Sequence, residues 1–131
     1  MSQENVEIVR GQVERFKTTG ELSPETSAED IVWHDPPDFP DAQAHLGIEG
    51  VLHALTVWAN AWSEWRIELD DYVDAGDRVL VRGKQWGVGK DTGAQVEQPL
   101  CLVYLLRDGK VVEVRAFFDE DQALEAAGLS E

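Results

Sequence analysis

The run VWHDPPDFP, residues 32–40, contains the side chains best suited to proton transfer. Trp33 and Asp35 alternate with His34, so in a strand they point to one side and His34 points to the other. A carboxylate beside an indole at the mouth of an apolar pocket has its charged form disfavoured, and it can then exchange protons with a substrate. Asp35 is therefore the candidate general acid or base. The alternative is that Asp35 only caps the proline turn that follows it, a common role of aspartate.

The sequence offers little to a metal ion or a cofactor. His34 is followed by Asp35, Asp38 and Asp41, but no His-x-His or His-x₃-His pair accompanies them. Closely spaced histidine pairs are typical of metal sites, so their absence argues against a metal here. The single cysteine, Cys101, excludes an internal disulfide and a cysteine-rich metal centre. We therefore expect neither a metal nor a cofactor.

Composition indicates one globular domain that spans residues 1–131. An apolar fraction of 43% is ordinary for a folded domain of 131 residues. The chain carries 26 acidic against 11 basic residues, for a net charge of −15. This balance argues against nucleic acid or an anionic membrane as a partner, because both require a basic surface. The first residues do not resemble a secretory signal, and no apolar run approaches the roughly 20 residues that span a bilayer, so a cytoplasmic location is expected.

The spacing of apolar residues predicts an α+β fold. Period 3.6 predicts helices over residues 4–18, 23–29, 48–63 and 120–127, the third of which carries Trp58 and Trp62. Period two predicts strands over residues 31–34, 65–73, 79–88, 96–106 and 111–118. Residues 38–47 are predicted to be a loop. The order favours a curved, mostly antiparallel sheet with helices on its concave face, and such a shape leaves a cone-shaped hole for a small apolar ligand.

Five features of the sequence resemble the SnoaL-like branch of the NTF2-like superfamily. They are the pattern of the first helix and the segments VWHDP, GIEGVLHAL, DAGDRVLVRG and LLRDGKVVEVRAFFDEDQALEAAGL. The resemblance covers nearly the whole chain and implies a cone with a short C-terminal helix. The superfamily includes ketosteroid isomerases, polyketide cyclases, epoxide hydrolases, dehydratases and proteins that only bind or dimerise. Because one fold supports many functions, the activity must be argued from the site.

The resemblance implies a base at Asp35 but not the partners that a base of this kind uses. Ketosteroid isomerases carry a general-base aspartate before a proline, which matches Asp35 and Pro36. They add an oxyanion hole of a tyrosine and a protonated aspartic acid. The matching positions here are Phe16 and Leu102, and such a donor is worth about 3 kcal/mol of barrier. Epoxide hydrolases use an Arg-x-Asp pair that residues 96–106 lack. Neither reaction is expected in its known form.

The family register also predicts the walls of the pocket. The residues expected to bind the ligand are Trp33, Leu55, Trp58, Trp62, Gln98, Leu100, Leu102, Tyr104, Val114 and Phe118. An amide and a phenol among them suit a carbonyl or hydroxyl group of a ligand, and flat aromatic walls suit a polycyclic one. The alternative is that the tryptophans fill the core and that the polar groups are satisfied within it.

The opposite face of the third long strand is apolar as well, with Cys101, Val103 and Leu105 on it. A sheet that is apolar on both faces is normally covered on both. Because the helices were expected to cover only one face, we predict a homodimer that packs sheet to sheet across a two-fold axis. Members of the family commonly dimerise in this way.

Two functions remain open at this point. The first is a metal-free isomerase, cyclase or dehydratase in which Asp35 is the acid or base while Gln98 and Tyr104 orient a hydrophobic carbonyl compound. The second is a ligand-binding or dimerisation module with the same pocket and no turnover. Asp119 lies where cyclase-type members place an acid, but its position predicts a cap for the last helix.

Overall fold

The computed structural model describes residues 2–39 and 41–129. The helices are α1 (Ser2–Thr19), α2 (Gly47–Asn60) and α3 (Glu120–Ala126). The strands are β1 (Ser27–His34), β2 (Ala44–Leu46), β3 (Trp62–Ala75), β4 (Arg78–Gly89), β5 (Gln95–Arg107) and β6 (Lys110–Phe117). These elements confirm the predicted α+β architecture and the predicted order of the long strands.

All six strands form one mixed sheet in the order β2-β1-β6-β5-β4-β3. Strands β3 to β6 are the predicted antiparallel meander, and β1 adds to its edge parallel to β6. Irregularities in register occur between Leu69 and Asp71 and between Leu105 and Leu106. Such bulges increase the local bend and twist of a strand, which helps a sheet to curve around an interior.

The main core lies between the concave face of the sheet and helices α1 and α2. The predicted stripe of α1 is confirmed, since Val6, Val9 and Val13 are buried against the sheet. Helix α2 contributes Val51, Ala54 and Trp58 to the same core. Both helices therefore use one apolar face to close the concave side of the sheet, which is where the candidate site lies.

The predicted short helix over residues 23–29 is wrong, because this segment turns and then enters β1 at Ser27. The side chain of Gln12 donates to the hydroxyl oxygens of Thr26, at 2.8 Å, and Ser27, at 2.9 Å. The amide of Val111 donates to the carbonyl of Thr26 at 2.8 Å. These contacts with α1 and β6 fix the segment as an extension of the strand, and local propensity could not reveal them.

The helix predicted over residues 48–63 ends earlier than expected, so Trp62 is on β3 and not on α2. Helix α2 ends at Asn60, and Trp62 pairs with Gly89 of β4. Trp62 continues the apolar spacing of α2 by coincidence, which is why the sequence pattern extended the helix. The predicted loop over residues 38–47 is also wrong in part, since residues 44–46 form β2 and pair with β1.

The premise of the predicted dimer interface is wrong, because α3 covers part of the outer sheet face. Cys101 and Val103 are buried in a second core with Leu80 and Phe117, packed against Ala123 and Ala127 at the C-terminal end of the chain. Asp119 caps α3 by accepting a hydrogen bond from the amide of Gln122 at 3.1 Å, as expected. The homodimer stays a prediction, and it would have to use the uncovered outer face near Lys84, Trp86 and Pro99.

Candidate functional site

Trp58 divides the interior of the cone into two cavities. It lines both of them, and its indole is buried among aromatic rings. Its ring centroid lies 5.4 Å from that of Phe39, 5.7 Å from that of Phe118 and 6.3 Å from that of Trp33. We call the smaller cavity the inner chamber and the larger one the outer chamber. The tryptophans therefore leave open space in the cone, and Trp58 divides that space into two parts.

The inner chamber has a volume of about 60 Å³ and almost wholly apolar walls. Most of the predicted ligand residues line it, namely Trp33, Leu55, Leu100, Leu102, Tyr104 and Val114. Phe16 lines it too, so the two positions where an isomerase has donors both face this space with hydrocarbon. Burial, and to a lesser extent the nearby Tyr72, raises the pKa of Tyr104, which keeps its phenol neutral.

The outer chamber measures about 510 Å³, which is within the range of small-molecule sites. The remaining predicted site residues, Asp35, Trp62, Gln98 and Phe118, line it. Gln98 and Tyr104 were expected to orient one ligand group together, but the structure places them in different chambers. Asp35 and the amide of Gln98 therefore lie at the outer chamber, and the phenol of Tyr104 lies at the inner one.

Asp35 lies at the end of β1 and accepts hydrogen bonds from three groups. The indole of Trp33 donates to Oδ1 at 3.2 Å. The amide of Gln43 donates to Oδ2 at 3.3 Å, and Nε2 of His45 lies 3.1 Å from the same oxygen. The carboxylate is only 11% exposed. Gln43 lies eight residues along the chain from Asp35, so this bond differs from the local turn cap that the alternative predicted, and the bonds to Trp33 and His45 go beyond a turn cap as well.

His45 is a functional candidate that the sequence analysis missed. It lies on β2 opposite Trp33 of β1, and its side chain is 17% exposed and lines the outer chamber. Since an ionised carboxylate only accepts hydrogen bonds, a bond between the two side chains requires a proton on Nε2, and the ring tautomer with that proton has Nδ1 as its acceptor. The available signal was the alternation of Ala44, His45 and Leu46, which is too short to separate a strand from a loop.

His34 points away from this pair, as the alternation in β1 predicted. Its Nε2 lies 3.5 Å from a carboxylate oxygen of Glu113 on β6. Among residues 2–39 and 41–129, no group of three or more His, Cys, Asp or Glu side chains is arranged to hold a metal ion. The same ranges contain no helix that is long and apolar enough to cross a membrane.

Gln85 is the second residue that the sequence analysis missed. It is 1% exposed on β4, and its Oε1 accepts from the indoles of Trp58, at 3.0 Å, and Trp65, at 2.9 Å. Its Nε2 donates to Oε1 of Gln98 at 2.8 Å. A buried amide must be satisfied by partners, and here the partners are site residues. The available signal was a glutamine on the face of β4 that also carries Val79 and Val81.

Trp62 carries the one buried side-chain nitrogen or oxygen that lacks a hydrogen-bond partner in the described part of the chain, its indole nitrogen. The ring lies against the backbone of Gly87, where an added Cβ would be 2.5 Å from Cε3 of the indole. Gly87 therefore makes room for the ring. Trp62 also lines the outer chamber, but its indole nitrogen is itself shielded from that space.

The model of the SnoaL-like domain family matches residues 10–114. The chain belongs to the SnoaL-like family. No curated protein matches this SnoaL-like chain. Among solved structures, it is similar to an NTF2-like protein from Burkholderia xenovorans LB400, with 32% identity, a TM-score of 0.76 and 97% of each chain covered.

Two further structures share the fold of the SnoaL-like chain at lower identity. One is described as a SnoaL-like polyketide cyclase from Jannaschia sp. CCS1, with 22% identity, a TM-score of 0.71 and coverage of 99% of this chain and 94% of that one. The other is TerC co-crystallized with polyporic acid, with 20% identity, a TM-score of 0.72 and coverage of 95% and 98%. At these identities the likeness establishes the NTF2-like fold alone.

Proposed function

We propose that the protein is a cofactor-independent acid–base catalyst, an isomerase, cyclase or dehydratase, that acts on a hydrophobic carbonyl compound. The observation that carries the proposal is the Asp35–His45 pair at the wall of the outer chamber. A histidine held by a carboxylate is a common general base, because the carboxylate fixes the tautomer and the orientation of the ring. In this reaction Asp35 acts as one half of a pair with His45.

The chemistry of this pair is a proton transfer at carbon. A proton leaves the carbon next to the carbonyl for Nδ1 of His45, and the electron pair of the C–H bond moves onto the carbonyl oxygen to form an enolate. The imidazolium is stabilised by the carboxylate of Asp35, which lies 3.1 Å from Nε2. Where a C=C bond of the substrate is conjugated with the enolate, the proton returns at the far carbon of the dienolate, so the double bond moves and the step needs no external oxidant or reductant.

The walls of the outer chamber support an aromatic or polycyclic substrate. Phe39, Trp58 and Phe118 form a continuous aromatic surface with ring centroids 5.4 to 5.7 Å apart. Rings of this kind gain energy by stacking and by burying apolar area. The descriptions of the two structural relatives, a polyketide cyclase and a protein co-crystallized with polyporic acid, agree with a substrate of this class.

The proposal is tested by hydrogen–deuterium exchange at carbon in D₂O, which needs no knowledge of the natural substrate. With 2-tetralone and 2-acetylnaphthalene as probes, the wild-type protein should accelerate exchange of the protons next to the carbonyl, measured by NMR. Asp35→Asn and His45→Gln should each lower the acceleration by at least about a hundredfold, in line with the usual effect of a general base. The folded state of each variant is checked by circular dichroism.

Glu113→Gln is the matched control. Glu113 of β6 is a carboxylate that lies beside His34, a histidine on the other face of β1. It should leave the exchange unchanged. Equal acceleration by wild type and by both site variants would refute the assigned pair. A wild type that binds the ketones but never accelerates exchange would refute catalysis of this class.

A ligand-binding protein without turnover is the second candidate function. The observation that favours it is the hydrocarbon at Phe16 and Leu102, which gives the inner chamber no donor where an isomerase has two. Under this alternative the outer chamber holds the same ligands, and the Asp35–His45 bond serves to fasten β2 to β1. The exchange assay separates the two functions, because both predict binding and only one predicts exchange.

A further inference from the structure

The hydrogen bonds of Gln85 fix which atom each amide presents. Two indoles, those of Trp58 and Trp65, point their N–H groups at one atom of the Gln85 side chain. An indole nitrogen only donates, so that atom must be the oxygen. The nitrogen of Gln85 therefore donates to Gln98, and the atom of Gln98 that receives it must be its oxygen. No rotation of either amide satisfies all three bonds in another way.

The consequence reaches the outer chamber through Gln98. Because the oxygen of Gln98 is taken by Gln85, its remaining polar atom is the nitrogen, with N–H groups to donate. Gln98 is half-buried and lines the outer chamber together with Trp62 and Phe118. None of the hydrogen bonds within residues 2–39 and 41–129 engages this nitrogen. The amide of Gln98 therefore offers N–H donors to the chamber, and its hydrogen bond with Gln85 fixes its orientation.

Trp62 lines the same chamber without adding a donor to it. Its indole nitrogen has no acceptor within the described residues and is shielded from the cavity. The packing of the ring on Gly87 restrains it in this position. The amide of Gln98 is therefore the donor that this wall offers to a ligand oxygen.

We propose that the amide nitrogen of Gln98 is a donor subsite for an acceptor oxygen of the ligand, and that Gln85 is the positioning residue that sets its polarity. The inference rests on the proposed function and deepens it, because it names the chemical feature that a ligand must carry. That feature is a carbonyl, quinone or carboxylate oxygen attached to an apolar ring system. In the proposed reaction the same donor stabilises the enolate oxygen, in place of those that Phe16 and Leu102 cannot provide.

The test compares two probes that differ in one atom position. 2-Acetylnaphthalene carries a C=O group, and 2-isopropenylnaphthalene has the same shape with C=CH₂ in its place. Binding is measured by quenching of tryptophan fluorescence. Wild type should bind the ketone about threefold to tenfold more tightly, as expected for one neutral hydrogen bond. The side-chain amide protons of Gln98 should shift in the NMR spectrum with the ketone and not with the alkene.

The decisive variant is Gln85→Glu. The introduced carboxylate accepts from both indoles and repels the oxygen of Gln98, so Gln98 turns its nitrogen towards the carboxylate and its oxygen towards the chamber. The preference for the ketone should then disappear. Gln98→Met removes the donor without a buried charge, and it should abolish the preference for the ketone. This variant keeps the test decisive if Gln85→Glu does not fold.

Gln95→Met is the matched control, since Gln95 is an exposed glutamine on the same strand as Gln98, and it should leave the preference unchanged. Equal binding of ketone and alkene by wild type would overturn the donor subsite while leaving the pocket as a ligand site. Failure of both probes to bind would overturn the proposed function and the subsite with it. A preference that survives in Gln85→Glu would overturn the positioning role of Gln85.

Discussion

Replacing Trp58 by alanine should join the two chambers and change the size of ligand that the protein accepts. Trp58 is buried and is the wall that the inner chamber, of about 60 Å³, shares with the outer one, of about 510 Å³. Without the indole, an additional ring of a ligand can extend inwards. Such a ring buries about 50 Å² of apolar surface, worth about 1.3 kcal/mol at 25 cal/mol per Å², or about tenfold in affinity.

The same substitution has a cost in stability that can be worked out from its contacts. Trp58 packs against three aromatic rings and donates to Gln85. Loss of a buried tryptophan of this kind lowers the free energy of unfolding by about 3–5 kcal/mol. A domain of this size commonly has a free energy of unfolding of about 5–15 kcal/mol, so the variant should remain folded at 25 °C. Gln85 keeps the indole of Trp65 as a partner, which limits the damage to one bond.

The assay is the affinity for 2-acetylnaphthalene and for its three-ring homologue 2-acetylphenanthrene, with urea unfolding alongside. Trp58→Ala should favour the three-ring ketone by about tenfold relative to wild type. Trp58→Phe keeps a ring in the wall and should keep the wild-type preference. Trp86→Ala is the control on the outer sheet face, where Trp86 lies under the guanidinium of Arg66. An unchanged size preference in Trp58→Ala would refute the role of Trp58 as the dividing wall.

Two further outcomes follow from burial and from the outer face. Burial raises the pKa of Tyr104 in the folded protein, whereas an unfolded tyrosine loses its proton at about pH 10. The free energy of unfolding should therefore fall as the pH rises above about 10. Urea unfolding at pH 8 to 11 measures this fall, and Tyr104→Phe should make the free energy of unfolding less dependent on pH. The predicted homodimer should sediment as such at micromolar concentration and should dissociate in Trp86→Glu, whereas a wild-type monomer would refute the interface.

The sequence predicted the elements whose apolar spacing is long and regular. Val6, Val9 and Val13 recur at helical spacing because they form the buried face of α1. The strands of the meander show the period of two that a sheet requires. Both patterns are present in the local sequence. It failed where a distant contact decides the structure. The segment before Ser27 follows hydrogen bonds from Gln12, which is on another element.

The site shows the same division between local and distant information. The shared side of Trp33 and Asp35 follows from alternation, and the structure confirms that the indole bonds the carboxylate. His45 depends on a hairpin whose second strand has three residues, too short for a period to be recognised. Gln85 is connected to the site through indoles that are 27 and 20 residues away in the chain, and no local pattern records such a bond.

Strand β2 is the most weakly anchored element that carries a site residue. It has three residues, forms one edge of the sheet and pairs only with β1, and its last residue, Leu46, is 71% exposed. Short edge segments with few buried contacts open locally at a lower free energy than the core. Detachment of β2 would remove His45 from Asp35 while the remaining five strands stay paired. Activity and unfolding would then have separate thermal limits, with the proton-transfer pair lost first.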